Sequence, residues 1–155
     1  MISHLNKENK PTIVDISSKK ITRRMAIAQG IVEFSKSTYK KIELLKTKKG
    51  EIINMAIISG IMGAKKTSDM IPLCHNIKIE NIDIDIQAIK KISSLKVTSS
   101  VKSRGKTGVE IEALIGVSIA CLTIYDMCKS IDKKIVIKDI RLIKKKGGKS
   151  DLSIL

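Results

Sequence analysis

At 155 residues the chain is long enough to bury a real core in one domain and too short for two. Hydrophobic residues make up 43%, yet there is no tryptophan, one phenylalanine (Phe34) and two tyrosines, so the core has to be built from Ile, Leu, Val, Met and Ala. A formal net charge of +15 favours anionic partners, while the shortage of aromatics argues against a reader of single-stranded nucleic acid, which stacks bases on such side chains.

The predicted elements follow in chain order. Residues 1–10 are polar and are expected to be a disordered tail, leaving a single domain over 11–155. "TIVDIS" (Thr12 to Ser17) alternates like a short strand. From Thr22, an acceptable N-cap, apolar residues at helical spacing predict a helix to about Ile42. "KTKKGE" reads as a basic turn. A second helix is expected over 51–65, with Met55, Ile58, Ile61 and Met62 facing inward. Lys65 to Asn76 is irregular, its Pro72 arguing against a central strand. "IKIENIDIDI" and "SLKVTSSVKS" then read as an antiparallel hairpin joined near Ala88 to Ser93. A long helix from about Val109 to Ile131 and a last strand in "KIVIKDIRLIKK" complete the chain. That order predicts an α+β fold, helices on one face of a mostly antiparallel sheet.

The three cysteines, Cys74, Cys121 and Cys128, have no Cys-x-x-Cys spacing, so neither a disulfide framework nor a zinc site is expected. Cys121 and Cys128 are seven apart and share a helix face as small core residues. The longest apolar run, Ala113 to Tyr125, is too short to span a bilayer. With no signal peptide at the start, the expectation is a cytoplasmic, reduced protein.

Chemistry-bearing residues cluster in the second half. "SRGKTGVEIEAL" contains Gly-Lys-Thr, but a phosphate-binding loop needs a second glycine five positions earlier, and that position holds Ser100. Asp126 and Lys129 are three apart on one helix face. Such pairs are commonly solvated, but at the end of so apolar a helix these two are expected to be partly desolvated and tunable for proton transfer. His75 stands alone on a loop, where a histidine is more often structural than catalytic. Glu110 and Glu112 point apart on a helix, and at its start they would offset the dipole. "KKKGGKS" is either a frayed basic tail or a flexible loop able to embrace phosphates. A nucleic-acid-binding module would account for the charge but not for these carboxylates, which repel phosphate.

Read together, "VDIS" (14–17), "TRRMAIAQG" (22–30), "KKGEI" (48–52), "SGIMGAKKTSDMIPLCH" (59–75), "GKTGVEIEAL" (105–114), "SIACLTIYDMCKSID" (118–132) and "DIRLIKKKGGKS" (139–150) resemble the MoaC family of cyclic pyranopterin monophosphate synthases, over nearly the whole chain and in order. The resemblance implies a ferredoxin-like two-layer sandwich and a homohexamer built from dimers, with the active site at the dimer interface. It implies a lyase of molybdenum cofactor biosynthesis that converts (8S)-3',8-cyclo-7,8-dihydroguanosine 5'-triphosphate to cyclic pyranopterin monophosphate and diphosphate. Asp126 and Lys129 match the family's acid–base pair, and Lys49, His75, Glu110, Glu112 and Lys145 match other catalytic positions. Leu73, Cys74, His75, Ile111 and Glu112 match substrate contacts, with Arg24 a further phosphate-holding candidate. No resident metal or cofactor is implied, Mg²⁺ entering only through the substrate phosphates. Two positions depart from the family pattern: Asn76 replaces the usual proline and Asp151 the usual glycine. A member kept only as an assembly partner would have lost this polar set, and the chain retains it.

Overall fold

A strand forms where alternate residues can be buried between two neighbours, and Ala26, Ala28, Gly30 and Val32 are buried at that period. The computed structural model describes residues 4–44 and 46–154, apart from the side chains of 43, 44 and 46–50. Its first strand, β1 (Thr22–Glu33), pairs along one edge with β3 (Ser94–Gly105) and along the other with β4 (Val136–Lys146). The helix expected over 22–42 is therefore a correction: only α1 (Lys36–Leu44) is helical there. Small apolar residues at nearly every position fit both periods, and two flanking strands decide between them.

The sheet runs β2-β3-β1-β4-β5, with β2 (Ile79–Ile89) and a two-residue β5 (Leu152–Ser153) at its edges and every pairing antiparallel. The β2–β3 hairpin joins through a 3-10 turn at Lys90–Ile92, where it was expected. α2 (Lys46–Lys65) and α4 (Glu110–Cys128) cover one face of the sheet, giving a two-layer α+β sandwich of ferredoxin-like kind, and α3 (Thr67–Met70) is a single turn after α2. The stretch expected as a basic turn at 46–51 lies inside α2. Residues 12–17 keep an alternating exposure but join no ladder. Of the tail over 1–10, expected to lack structure, residues 4–10 form part of a small turn in which the Asn6 side chain accepts the N–H groups of Glu8 and Lys10, and Leu5 bridges Pro11.

The inward face of α2 is not the large-residue stripe. Met55, Ile58 and Met62 are exposed and Ile61 is half-buried, while Ala56, Gly60, Gly63 and Ala64 face the core. The reason is close approach to α4: a Cβ at Gly60 would lie 2.8 Å from the Gly116 carbonyl and 3.1 Å from the Ala120 Cβ. Ser59 and Thr123 hydroxyls meet across the same seam at 2.7 Å. Gly60→Ala gains up to ~1 kcal/mol of helix propensity but must push against backbone, at a cost of about 1–3 kcal/mol. The net expectation is a melting midpoint lowered by roughly 2–5 °C; an unchanged or raised midpoint in a thermal melt would contradict the seam.

Among the described residues α4 is the one helix long and apolar enough to cross a membrane. It packs instead against β1, β3, β4 and α2 as the core helix, with Cys121 and Cys128 fully buried on the face predicted for them.

Candidate active site

The site forms where the ends of three strands meet the start of α4. β3 finishes at Gly105, the turn Lys106–Gly108 follows, and α4 begins at Glu110. The antiparallel register puts Lys145 and Lys146 of β4 beside Ala26 and Met25 of β1, so the basic end of β4 lies next to Arg24. Two adjoining cavities result, sharing Thr107, Gly108 and Glu110.

The first, about 260 Å³, is walled by His4, Leu73, Cys74, His75, Ile77, Ile111 and Glu112 besides the shared residues. Five of the sequence-derived substrate positions, Leu73, Cys74, His75, Ile111 and Glu112, therefore converge, together with Glu110. His75 Nε2 lies 2.8 Å from the Val14 carbonyl. A carbonyl can only accept, so Nε2 carries a proton, and in the neutral ring Nδ1 is the acceptor. This tie fixes the loop even with Asn76 in place of proline.

Glu112 is 4% exposed. Burial pushes its carboxyl above the usual glutamate range, against the lowering effect of a backbone hydrogen bond, and the charge of Glu110 adds to the rise. Burial and Glu112 likewise raise the Cys74 thiol, which keeps it protonated and a poor nucleophile. A carboxyl with a raised folded pKa holds more protons folded than unfolded between the two values, so stability falls as pH rises through that window. The penalty is absent below the ordinary glutamate pKa and complete above the raised one. Glu112→Gln should therefore gain on the wild type as pH rises above the ordinary glutamate range, about 4, the two converging in acid. Urea midpoints across pH read this out; a gap independent of pH would contradict it.

The second cavity, about 380 Å³, is lined by six cations, Lys19, Lys20, Arg24, Lys106, Lys145 and Lys149, with Thr22, Gly147 and Gly148. Its one carboxylate, Glu110, lies 3.4 Å from Lys145 Nζ. Arg24 is braced by the carbonyls of Gly105 and Lys106, to which Nε and Nη2 donate at 3.4 and 3.3 Å. The glycine loop is built rather than frayed. Gly147 has φ of +87°, a Cβ there would lie 1.9 Å from the Arg23 carbonyl, its carbonyl accepts from Thr22 Oγ1 at 2.8 Å, and its N–H donates to Asp151 at 3.0 Å. Asp151, the departure beside the basic loop, thus spends its carboxylate on holding that loop's shape.

Asp126 and Lys129 lie elsewhere. Lys129 Nζ is 2.7 Å from Asp126 Oδ1, but the Lys129 and Asp126 side chains are 61% and 70% exposed, so the expected desolvation is absent in the single chain. The hydrogen bond from Lys129 to Asp126, and then the carboxylate's charge, push the ammonium pKa up. Fourteen residues of α4 separate Asp126 from Glu112, roughly 21 Å along the axis. Lys49 falls within α2, but its side chain lies outside the described residues. Sequence reasoning missed His4, Lys19, Lys20 and Lys106, while Lys149 belongs to the "KKKGGKS" read as a possible phosphate loop. Lys106 had a signal, the Gly-Lys-Thr of the rejected phosphate loop; the others are two lysines without a marker and a histidine in a polar N-terminal stretch.

An α+β sandwich whose buried carboxylate and half-buried imidazole open onto a six-cation cradle has the shape and charge to take a polyanionic small molecule. The chain belongs to the MoaC family, whose family model matches residues 13–148. Among curated relatives, the cyclic pyranopterin monophosphate synthase of Helicobacter pylori (strain G27) is 50% identical over 150 residues, covering 97% of this chain and 95% of the relative. Those of Campylobacter jejuni subsp. doylei and Clostridium acetobutylicum, with the same name, are 50% and 47% identical over 149 and 150 residues, covering 96% and 97% of this chain and 95% and 93% of theirs.

Proposed function

We infer that the chain is a cyclic pyranopterin monophosphate synthase of molybdenum cofactor biosynthesis, acting on the cyclic dihydroguanosine triphosphate. The observation that carries this reading is the junction of the two cavities: a heterocycle beside His75, Cys74 and Glu112 leaves a triphosphate to run past Thr107 and Gly108 into the cations. Bidentate and charge-assisted bonds from Arg24, Lys145, Lys19 and Lys106 suit phosphate oxygens. Ring closure forms a bond from a substrate hydroxyl oxygen to the α-phosphorus as the bond to diphosphate breaks. The cradle neutralises the departing charge, and a base takes the hydroxyl proton.

His75, with Nδ1 open as an acceptor, and Glu112, with its proton held by burial, are the site's base and acid in the ring rearrangement. Asp126 and Lys129 are the other proton-transfer pair, with Lys49 a further cation. A second copy of the chain completes the pocket. A two-fold axis that sets two α4 helices antiparallel brings Asp126 and Lys129 of one chain to Glu112 of its partner, and three such dimers make a hexamer. The exposed Met55, Ile58 and Met62 of α2 and Leu122 of α4 offer apolar surface for such contacts. The enzyme works in the cytoplasm without a resident metal, Mg²⁺ arriving on the substrate phosphates.

Equilibrium binding tests the assignment of the two cavities. The cyclic triphosphate should bind about a hundredfold more tightly than the same compound after phosphatase treatment, with the difference shrinking in high salt. Equal affinity for the two would contradict it.

A further inference from the structure

We propose that His4 contacts the substrate heterocycle, closing the first cavity from the N-terminal side; this rests on the proposed function, since the heterocycle is the part of that substrate placed here. His4 belongs to the cavity wall with Cys74, His75 and Glu112. It is brought there by a chain of fixed contacts. The Lys106 ammonium donates to the Ser17 carbonyl at 2.5 Å, and His75 holds the Val14 carbonyl at 2.8 Å. Backbone hydrogen bonds close the turn that follows: the Asn6 N–H donates to the Lys10 carbonyl at 2.9 Å, the Asn9 N–H to the Asn6 carbonyl at 3.0 Å and the Thr12 N–H to the His4 carbonyl at 3.0 Å. The strap from 4 to 17 is thereby pinned to two residues of the site, one at each cavity.

The second observation is polar. Nδ1 of His4 is shut off from solvent and has no hydrogen-bond partner among the described residues. A buried unpaired ring nitrogen is disfavoured. Rotation about the Cβ–Cγ bond, a broad torsion for histidine, can turn the ring's nitrogens toward the cavity. There the amide-like edge of a guanine-derived ring offers both donors and acceptors. His4 is thus a substrate-contacting residue on a strap that the substrate itself would help to hold down.

The chain has two histidines, so a full-length protein labelled with ¹⁵N-histidine shows two sets of ring signals, told apart with His4→Gln. Saturation with the cyclic triphosphate should shift the His4 ring nitrogens, whereas inorganic triphosphate, which fills only the cradle, should leave them in place. In kinetics, His4→Ala should raise KM about tenfold with the melting midpoint unchanged, and His4→Gln, which keeps a hydrogen-bonding group, should recover most of the loss. His4 signals unmoved by the cyclic triphosphate, or a kcat/KM of His4→Ala within about twofold of wild type, would overturn the proposal. The reaction is read separately: a protein that shifts its His4 signals but releases no diphosphate keeps the contact and loses the assigned activity, while turnover with His4 unmoved does the reverse.

Discussion

Asp126→Asn and Lys129→Ala should each lower turnover by about a hundredfold or more, the scale of a lost general acid or base, and the double variant should be little worse than either. The two groups are one hydrogen-bonded unit at 2.7 Å, with the ammonium held protonated by the carboxylate. Groups that act together lose their joint effect once, not twice. Stability separates this from a folding defect. An ion pair this exposed contributes little to the fold of a single chain, so the variants should melt with the wild type and keep their helical circular dichroism. Near-normal turnover in either single variant, with the fold intact, would remove the pair from the mechanism.

With Asp126 roughly 21 Å along α4 from Glu112, one chain cannot put both against one small molecule. Their angular positions nearly coincide, because 14 residues at 3.6 per turn is close to four full turns, so Asp126 stands exposed on the side of α4 on which Glu112 is buried. Mixing an inactive Glu112→Ala chain with an inactive Asp126→Asn chain should then restore activity. In a mixed dimer one pocket receives both lesions and the other receives neither. Random assembly at equal amounts makes half the dimers mixed, so about a quarter of wild-type activity should return. Sites confined to single chains would each keep one lesion, and confirmed mixed dimers would stay inactive.

Legibility of the sequence varied for physical reasons. β2, β3 and β4 were read correctly because isoleucine and valine alternate with charged or hydroxyl side chains in "IDIDI", "LKVTSSV" and "IRLIKK", a pattern that fits one half-buried surface. β1 was read as helix because Ala26, Ala28 and Gly30 carry too little side chain to declare a period, and only pairing with β3 and β4 settles it. The face of α2 was misread by weighting size. Gly60 and Gly63 face inward because closeness to α4, not side-chain bulk, is what that seam requires.

At the site, the cluster around Cys74, His75 and Glu112 was legible only through the family resemblance, because a lone histidine and two glutamates that point apart on a helix do not by themselves declare a pocket. The cradle was recoverable only in part, since 30 lysines and arginines hide which six converge, and convergence comes from strand register. The exposure of Asp126 and Lys129 could not be read from their own helix, which is apolar up to their last turn.

The measurement that bears most directly on the whole account is a phosphorus NMR time course of the purified chain with the cyclic triphosphate, with the pterin product isolated alongside. The account predicts one diphosphate and one cyclic monophosphate ester for each substrate consumed, with no orthophosphate. Substrate left intact, or orthophosphate released in place of diphosphate, would contradict it.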